Sequence, residues 1–195
     1  MRLIGLTGGI GMGKSTASAA FRRAHLPVFD ADAEVHKLQA KGGAALPAIA
    51  AAFPGTVVNG VLDRAALREI VLTDKQALRK LERILHPRVR AAELKFLARA
   101  RAAGSRAAIL DIPLLFEGRG EKRVDEVVVV SAPCAVQIAR VRKRGKMSPA
   151  QIAAVLARQM PDAEKRRRAD HVIRTGLSRF HALRGLKRLI REWRA

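Results

Sequence analysis

Several residue types are scarce in this sequence of 195 residues, and each scarcity narrows what the chain can do. Tyrosine is absent and aromatic residues make up only 4% of the chain, so stacking platforms for single-stranded nucleic acids are few. The single cysteine, Cys134, cannot form a disulfide within the chain, which favours a reducing compartment. No apolar run reaches the roughly 20 residues that cross a bilayer, and the first residues lead directly into a glycine-rich segment. We therefore expect a cytoplasmic location and no membrane partner.

Acidic residues are also scarce, because 38 basic residues stand against 17 acidic ones and give a formal charge of +21. A charge of this size attracts polyanions, either a nucleic-acid backbone or a small ligand that carries several phosphates. Arginine is spread along the whole chain, so most of the excess is expected to lie on solvated surface. The sequence contains no zinc-finger spacing and no aromatic ribonucleoprotein motif. We expect no nucleic-acid partner.

Short apolar segments alternate with longer segments of helical composition. The five predicted strands cover residues 2–7, 27–30, 107–112, 125–130 and 171–174. Strands that alternate with helices form a parallel sheet covered on both faces, and an apolar content of 49% is enough for one substantial core. The prediction is an α/β protein with a parallel five-stranded sheet flanked by helices.

The segments between the strands are predicted to be helical. Residues 44–103 are expected to be almost wholly helical, with a break at Pro87, where proline ends one helix and begins the next. Residues 133–168 are expected to form two helices, of which Ser148 caps the second, and the basic residues 165–168 a solvated face. A closing amphipathic helix carries an apolar face that includes Phe180, Leu186 and Trp193. The predicted divisions are a core (1–32, 104–132 and 169–195), an insertion (about 33–103) and a basic helical segment (about 133–168).

A glycine-rich segment lies between the first predicted strand and the first predicted helix. Its sequence from Gly8 to Ser15 has the spacing of a P-loop, in which backbone N–H groups and a helix N-terminus surround nucleotide phosphates. Lys14 is predicted to reach the β- and γ-phosphates and to act in catalysis, and Ser15 to bind the Mg²⁺ that accompanies ATP. The predicted ATP-binding residues of the loop are Gly9, Ile10, Gly11, Met12, Gly13, Lys14, Ser15 and Thr16.

The loop does not identify the group that receives the phosphoryl group. Asp30 and Asp32 follow the second predicted strand, at the edge of the sheet where ligands of open α/β sheets bind. A carboxylate there can take the proton of an acceptor hydroxyl or hold magnesium, but an aspartate at this position also commonly caps the next helix. Asp111 ends another buried strand, where it either orients the magnesium shell through water or serves as a strand-end hydrogen-bonding group.

Four segments together resemble the dephospho-coenzyme A kinase family. They are Gly5–Thr16, Asp30–Asp32, Leu85–Pro87 and Ile112–Glu117, and their order and spacing match the family over nearly the whole chain. Such kinases transfer the γ-phosphoryl group of ATP to the ribose 3′-hydroxyl of dephospho-coenzyme A, the last step of coenzyme A synthesis. The resemblance implies a P-loop kinase fold, ATP and dephospho-coenzyme A as partners, and Asp32 as the catalytic base.

The resemblance also assigns the acceptor side of the site. The helical insertion would bind the acceptor, with the family motifs close to it. The residues placed there are Asp32, His86, Pro87, Leu114, Leu115, Phe116 and Glu117. Considered without the resemblance, His86 is more often a helix-end residue, and Leu114, Leu115 and Phe116 are ordinary core residues.

The basic segment resembles the family's lid, a helical flap that closes over ATP. Arg140 and Arg144 lie near its start, and a planar guanidinium there stabilises the charge on the transferring phosphoryl group. Arg140 is therefore a predicted catalytic and ATP-binding residue, and Arg144 a predicted ATP-binding residue. The chain departs from the family pattern at Met12, at Val155 and after the last strand at Arg174.

Two alternative functions stay open at this stage. Another small-molecule P-loop kinase, such as a nucleoside monophosphate kinase, would share the loop, the insertion and the lid. A nucleotide-switched protein that binds nucleic acid would share the loop and the positive charge. The Asp30–Asp32 and Ile112–Glu117 motifs favour the dephospho-coenzyme A kinase over both.

Overall fold

The structure, a computed structural model, describes residues 1–145 and 147–194 and divides into two compact units. Unit 1 comprises Met1–Phe29 and Arg99–Ala195, and unit 2 comprises Asp30–Ala98. These boundaries lie three to five residues from those predicted for the insertion (32/33 and 103/104). The prediction that residues of about 133–168 form a separate lid stays a prediction.

The helices and strands follow one another in nearly the predicted places. In the described residues their order is β1 Arg2–Thr7, α1 Lys14–Arg23, β2 Val28–Asp30, α2 Ala31–Leu38, α3 Leu46–Ala52, β3 Val57–Val58, β4 Val61–Leu62, α4 Arg64–Thr73, α5 Lys75–Ala102, β5 Ala107–Asp111, a 3₁₀ turn Gly120–Arg123, β6 Glu126–Ser131, α6 Cys134–Lys143, α7 Pro149–Arg158, α8 Asp162–Arg167, β7 His171–Arg174 and α9 Arg179–Arg194.

The central sheet confirms the predicted fold class. Within the described chain it has five strands in the order β2-β5-β1-β6-β7, and they run parallel. Strand β1 lies in the middle, with Leu6 opposite Asp111 of β5 and Thr7 opposite Val129 of β6. Because carboxyl ends of parallel strands meet at one edge, the segments that follow β1, β5 and β6 gather there.

One face of the sheet packs against α1 and α9. Ile4 and Leu6 of β1 are fully buried there with Phe21 of α1 and Trp193 of α9. The rings of Phe21 and Trp193 lie 5.8 Å apart, and the indole Nε1 of Trp193 donates to Glu126 at 3.1 Å. Burial of a large apolar side chain stabilises the fold by about 1.5–3 kcal/mol. Phe180 was predicted on the same apolar face and is 75% exposed, because it occupies the first turn of α9.

The residues from 133 to 168 form more helices than predicted. Three helices occur in the described part of this segment, because a short third helix, α8, follows Pro161 and carries Asp162 and Glu164 in its first turn. The predicted cap of α7 is confirmed, since the Ser148 hydroxyl accepts from the Gln151 N–H and Gln151 Oε1 accepts from the Ser148 N–H.

Unit 2 has its own apolar core, built from Leu46, Ile49, Leu67 and Leu81 among other residues. Residues 44–103 were predicted to be almost wholly helical. This prediction was wrong at β3 and β4, two strands of two residues each that pair as a hairpin. Asn59 and Gly60 connect them with positive φ values of 51° and 72°, the conformation of a tight hairpin turn.

The predicted helix break at Pro87 was also wrong. Helix α5 is 28 residues long and passes through Pro87 without ending. Proline removes one backbone hydrogen bond, and apolar positions such as Leu81, Leu85 and Leu97 are buried on both sides of it, which offsets the loss.

No helix among the described residues is long and apolar enough to cross a membrane.

Candidate active site

The glycine-rich loop connects β1 to α1 at the carboxyl edge of the sheet, and it is packed too tightly for larger residues. A Cβ atom at Gly8 would lie 2.7 Å from the Val130 carbonyl oxygen, so only glycine allows the loop to approach β6 this closely. Gly11 has φ 76°, and a Cβ atom there would lie 2.8 Å from the carbonyl oxygen of Gln137 in α6. The glycines therefore let two neighbouring elements enclose the loop.

Side chains from outside the loop hold the backbone of Ile10 from both sides. Gln137 of α6, which is buried, donates its Nε2 to the Ile10 carbonyl oxygen at 2.8 Å. The Ile10 N–H donates to Oε1 of Gln159, just after α7, at 3.1 Å. A primary amide has one donor group and one acceptor group. Gln137 uses its donor and Gln159 its acceptor, and both bind the backbone of Ile10.

Thr175, which follows β7, is the second point of attachment. Its hydroxyl donates to the Met12 carbonyl oxygen at 2.6 Å, and its N–H donates to the carbonyl oxygen of Ser131 at 2.8 Å. Arg140 donates to both Thr175 oxygens, with Nη1 3.1 Å from Oγ1 and Nη2 2.6 Å from the carbonyl oxygen. The guanidinium of Arg140 is thus oriented by Thr175, and Nη1 also lies 3.5 Å from the Gly11 carbonyl oxygen.

Lys14 is the first residue of α1 and forms an ion pair with Asp111 at the end of β5. Its Nζ lies 2.6 Å from Oδ1 of Asp111, whose side chain is only 2% exposed. The two residues face each other because β5 is the direct neighbour of β1. Ser15 is exposed in the first turn of α1, so its hydroxyl is accessible at the same end of the helix.

Met12 occupies a buried position inside the loop. Its side chain is packed in the core shared by β1, α1 and α9 and is 2% exposed. Its Sδ accepts a hydrogen bond from the Ala132 N–H at 3.0 Å. Met12, a predicted ATP-binding residue and a departure from the family pattern, therefore joins the loop to the residue after β6.

The motif that follows β5 contributes to the core and to an ion pair. Leu115 and Phe116 are buried with Val127 and Val129, whereas Leu114 is 48% exposed. The packing explains Leu115 and Phe116 without a ligand, but it does not explain Leu114. Contact of Leu114, Leu115 and Phe116 with an acceptor stays a prediction.

Glu117 ends this motif and holds the segment after α7. Its Oε1 accepts from the Met160 N–H at 2.8 Å and lies 2.8 Å from Nζ of Lys165, an ion pair that does not meet directional hydrogen-bond geometry. Burial raises the pKa of Glu117, but the Lys165 ammonium and the Met160 N–H outweigh this effect and hold the pKa below its ordinary value. Lys165 is 1% exposed, so its predicted place on a solvated face was wrong.

The two aspartates at the end of the second strand have different surroundings. Oδ1 of Asp30 accepts from the Ala33 N–H at 3.0 Å and caps α2. Asp32 is exposed in the first turn of the same helix. His86 and Pro87 are exposed on α5, and their predicted contact with the acceptor stays a prediction.

The lid arginines differ in their surroundings. Arg140 makes the contacts with Thr175 described above, whereas Arg144 is exposed directly after α6. Val155, a departure from the family pattern, is half-buried in α7, and Arg158 is exposed as the last residue of that helix. The predicted roles of Arg140 and Arg144 toward ATP stay predictions.

Comparisons with known proteins identify the family of this chain. The dephospho-CoA kinase family model matches residues 2–178. The chain belongs to the dephospho-CoA kinase family. A dephospho-CoA kinase of Rhodopseudomonas palustris is 52% identical over 98% of this chain and 94% of its own length. One of Gluconobacter oxydans is 52% identical over 100% of this chain and 98% of its own length.

Solved structures give the same result for the fold. A Thermus thermophilus crystal structure is 37% identical, covers 98% of this chain and 97% of its own, and has a TM-score of 0.86. A dephospho-CoA kinase from Campylobacter jejuni is 26% identical over 97% and 96% of the two chains, with a TM-score of 0.72. Family membership confirms the predicted enzyme, an ATP-dependent dephospho-CoA kinase, and does not favour a nucleoside monophosphate kinase.

Sequence reasoning missed three residues that touch the loop, namely Gln137, Gln159 and Thr175. Each acts through hydrogen bonds to backbone atoms, which leave no periodic or charged pattern in a sequence. The one available signal was the position of Gln137, a polar residue on the side of α6 where a helix packed on a sheet buries apolar residues.

Proposed function

We propose that this chain transfers the γ-phosphoryl group of ATP to the ribose 3′-hydroxyl of dephospho-coenzyme A, with Lys14 and Asp32 as its principal reacting-site residues. The observation that carries the proposal is the enclosed P-loop, in which Lys14 begins α1 beside Asp111. Membership of the family supplies the acceptor. Phosphoryl transfer needs mainly positioning and charge stabilisation, and the loop offers both.

Lys14 has the position required to neutralise the phosphates of ATP. Its ammonium is held near the N-terminus of α1 by Asp111, so it is ordered before any phosphate contact. The side chain is 19% exposed and can therefore meet a ligand at the loop. We assign to Lys14 the charge on the β- and γ-phosphates, and to Arg140 the charge that builds on the transferring group.

Magnesium is the cation that the available side chains suit. The Ser15 hydroxyl and the Asp111 carboxylate are hard oxygen donors, as Mg²⁺ prefers, and Asp111 would act through water. No group of three or more histidine, cysteine or acidic side chains in the described part of the chain could hold a metal by itself. The ion would therefore be held together with the nucleotide, and when bound it would neutralise charge on the β- and γ-phosphates.

Asp32 is our candidate for the base that takes the proton of the 3′-hydroxyl. Asp30 already serves as the cap of α2, so the exposed carboxylate of Asp32 is not needed for that purpose. A positioned carboxylate accepts the proton as the hydroxyl attacks the γ-phosphorus. His86, Pro87, Leu114, Leu115, Phe116 and Glu117 are proposed near the acceptor on the family resemblance.

A substrate panel tests the proposed function. The purified protein is given ATP and Mg²⁺ with dephospho-coenzyme A or with each nucleoside monophosphate, and ADP is measured together with the mass of the product. We expect turnover with dephospho-coenzyme A alone and coenzyme A as its product. Turnover of a nucleoside monophosphate without turnover of dephospho-coenzyme A would overturn the proposal. Lys14→Ala controls for contaminating kinases.

We further propose that the enzyme works in the cytoplasm and has no nucleic-acid partner. The exposed free thiol of Cys134 suits a reducing compartment. A gel-shift assay with RNA and duplex DNA at moderate salt tests the second point, because binding by charge alone weakens steeply as salt rises. A shift that persists at physiological salt would contradict it.

A further inference from the structure

We propose that Gln137 and Thr175 are positioning residues of the phosphate loop, which hold two loop carbonyls so that the N–H groups of Gly11 and Gly13 face the nucleotide phosphates. This inference rests on the proposed function for the identity of the nucleotide. Neither residue is assigned a contact with ATP itself. Their effect is on the direction of the donors that make that contact.

The geometry of the peptide unit carries this proposal. In a trans peptide the C=O of one residue and the N–H of the next point in opposite directions, and the described chain has no cis bonds. The Ile10 carbonyl is held by Gln137 at 2.8 Å, and the N–H of the same peptide unit belongs to Gly11. The Met12 carbonyl is held by Thr175 at 2.6 Å, and its partner N–H belongs to Gly13. Both donors are therefore directed away from the side chains that anchor the carbonyls.

The loop needs such anchors because glycine is the most flexible residue. Four of the six residues between β1 and α1 are glycines, so an unanchored loop would sample many conformations before it bound a phosphate. Donors that are fixed in advance bind an anion more tightly, because no ordering cost is met at binding. Gln137 and Thr175 are 6% and 8% exposed, and the buried Gln137 Nε2 and Thr175 hydroxyl each find a hydrogen-bond acceptor on the loop.

Two further contacts make the anchoring directional. A hydroxyl has one hydrogen, and Thr175 Oγ1 lies 2.6 Å from the Met12 carbonyl oxygen but 3.3 Å from that of Ser131, so the hydrogen is directed to the loop. Arg140 donates to the same Oγ1 at 3.1 Å, so the oxygen accepts from Arg140 while its own hydrogen is directed to the loop. On the other side, Gln159 accepts the Ile10 N–H and prevents rotation of the preceding peptide.

The test compares Gln137→Met and Thr175→Val with two matched controls. Each variant keeps the size of the side chain and removes its hydrogen bond. Gln76→Met and Thr73→Val make the same chemical changes in unit 2, where Gln76 is exposed and the Thr73 hydroxyl lies 3.0 Å from the Glu69 carbonyl oxygen and 3.1 Å from that of Ile70. The dissociation constant of ATP with Mg²⁺ is measured by calorimetry without acceptor, below the melting temperature of each protein.

We expect ATP binding to weaken about fivefold in each loop variant and by less than about twofold in each control. Under turnover the KM for ATP rises while the KM for dephospho-coenzyme A stays constant. A purely structural role would lower the melting temperature and leave ATP affinity unchanged. Unchanged affinity in both folded loop variants overturns the proposal.

Two conservative variants keep the test decisive if a loop variant does not fold. Thr175→Ser retains the hydroxyl and is expected to bind ATP like the parent. Gln137→Glu has nearly the same shape but its carboxylate cannot donate to the Ile10 carbonyl, so ATP binding is expected to weaken. The reverse order of these two affinities contradicts the proposal. Because ATP binding is measured without acceptor, failure of the proposed acceptor leaves this result intact.

Discussion

The Sδ atom of Met12 accepts a hydrogen bond from the backbone N–H of Ala132 at a distance of 3.0 Å. The contact joins the middle of the phosphate loop to the residue that follows β6. It also satisfies a donor on Ala132, which is only 6% exposed. Methionine therefore contributes both apolar packing and an acceptor at this position, whereas a smaller side chain would fill less of the space.

Replacement of Met12 by leucine is expected to lower the free energy of unfolding by about 1–2 kcal/mol. Leucine has nearly the same volume, so the loss reflects the buried Ala132 N–H left without an acceptor. Chemical denaturation measures the change. Met160→Leu is the control, because Met160 is only partly buried, against the cluster that contains Leu115 and Phe116. Its replacement is expected to lower the free energy of unfolding by less. A Met12→Leu protein as stable as the parent would show that the sulfur contact has no net value.

Replacing Glu117 and replacing Lys165, the two partners of one ion pair, are expected to lower the free energy of unfolding by unequal amounts. Glu117→Gln leaves a buried ammonium opposite a neutral amide and is expected to cost about 3 kcal/mol. Lys165→Met replaces the ammonium by an apolar group, and Glu117 keeps the Met160 N–H, so a cost of about 1 kcal/mol is expected. Arg166→Met, at an exposed ion pair on the same helix, is the control and should change stability by less than about 0.5 kcal/mol. Equal losses for both halves would contradict this account.

The same pair predicts a dependence of stability on pH. The pKa of Glu117 is lower in the folded than in the unfolded chain, so the unfolded chain binds its proton first as the pH falls. The contribution of Glu117 is fully present above about pH 4.3, the ordinary value of a glutamate, and is lost as the pH falls through the folded value. Melting temperatures between about pH 6 and pH 3 should fall less steeply for Glu117→Gln than for the parent.

Glu164 serves as a comparison for this acid dependence. Its hydrogen bond from Arg168 also lowers its pKa, and its side chain is 22% exposed. Glu164→Gln should therefore change the slope in the same direction, with a smaller effect that high salt reduces further. A Glu117→Gln protein with the slope of the parent would contradict the assignment of Glu117.

Asp32→Asn tests the catalytic base. We expect turnover to fall by a factor on the order of 100 or more while ATP binding is retained, because asparagine cannot accept the proton. Asp30→Asn is the matched control, since asparagine caps helices as well as aspartate does and the cap of α2 should survive. Rates come from a coupled ADP assay. Near-normal turnover of the Asp32 variant would remove it from the mechanism.

Lys14→Ala tests the role of the loop lysine. We expect turnover to be lost with the fold retained, because the charge on the transferred phosphates is no longer neutralised. Circular dichroism checks the fold, and the rise in melting temperature caused by ATP in the parent should largely disappear in the variant. Retained turnover would show that another cation provides the charge.

The parts of the fold that were predicted correctly rest on local chemistry. The β-branched run of β6 favours a buried strand, and the glycines after β1 favour a tight turn before the first helix. The outcome at Pro87 depended on tertiary packing, because apolar residues buried along α5 outweigh the preference of proline to end a helix. The burial of Lys165 depended on Glu117, 48 positions earlier in the chain, which no local pattern connects.

The site shows the same division. The spacing of the loop predicts roles for Lys14 and Ser15, whereas the cap made by Asp30 at the Ala33 N–H became visible only in the structure. Gln137 and Thr175 could not be named, since both bind carbonyl groups, and every residue of the chain carries one. A sequence records the side chain that makes a contact but not the backbone atom that receives it.

Trp193 is an intrinsic fluorescence probe. The chain has one tryptophan and no tyrosine, so its intrinsic ultraviolet emission comes almost entirely from this single indole. The ring is buried against Phe21 of α1, the helix whose first residue is Lys14, so a change in the packing of that helix alters the surroundings of the fluorophore. Nucleotide binding and unfolding can thus be followed in the unmodified protein by stopped-flow fluorescence, with no label near the loop.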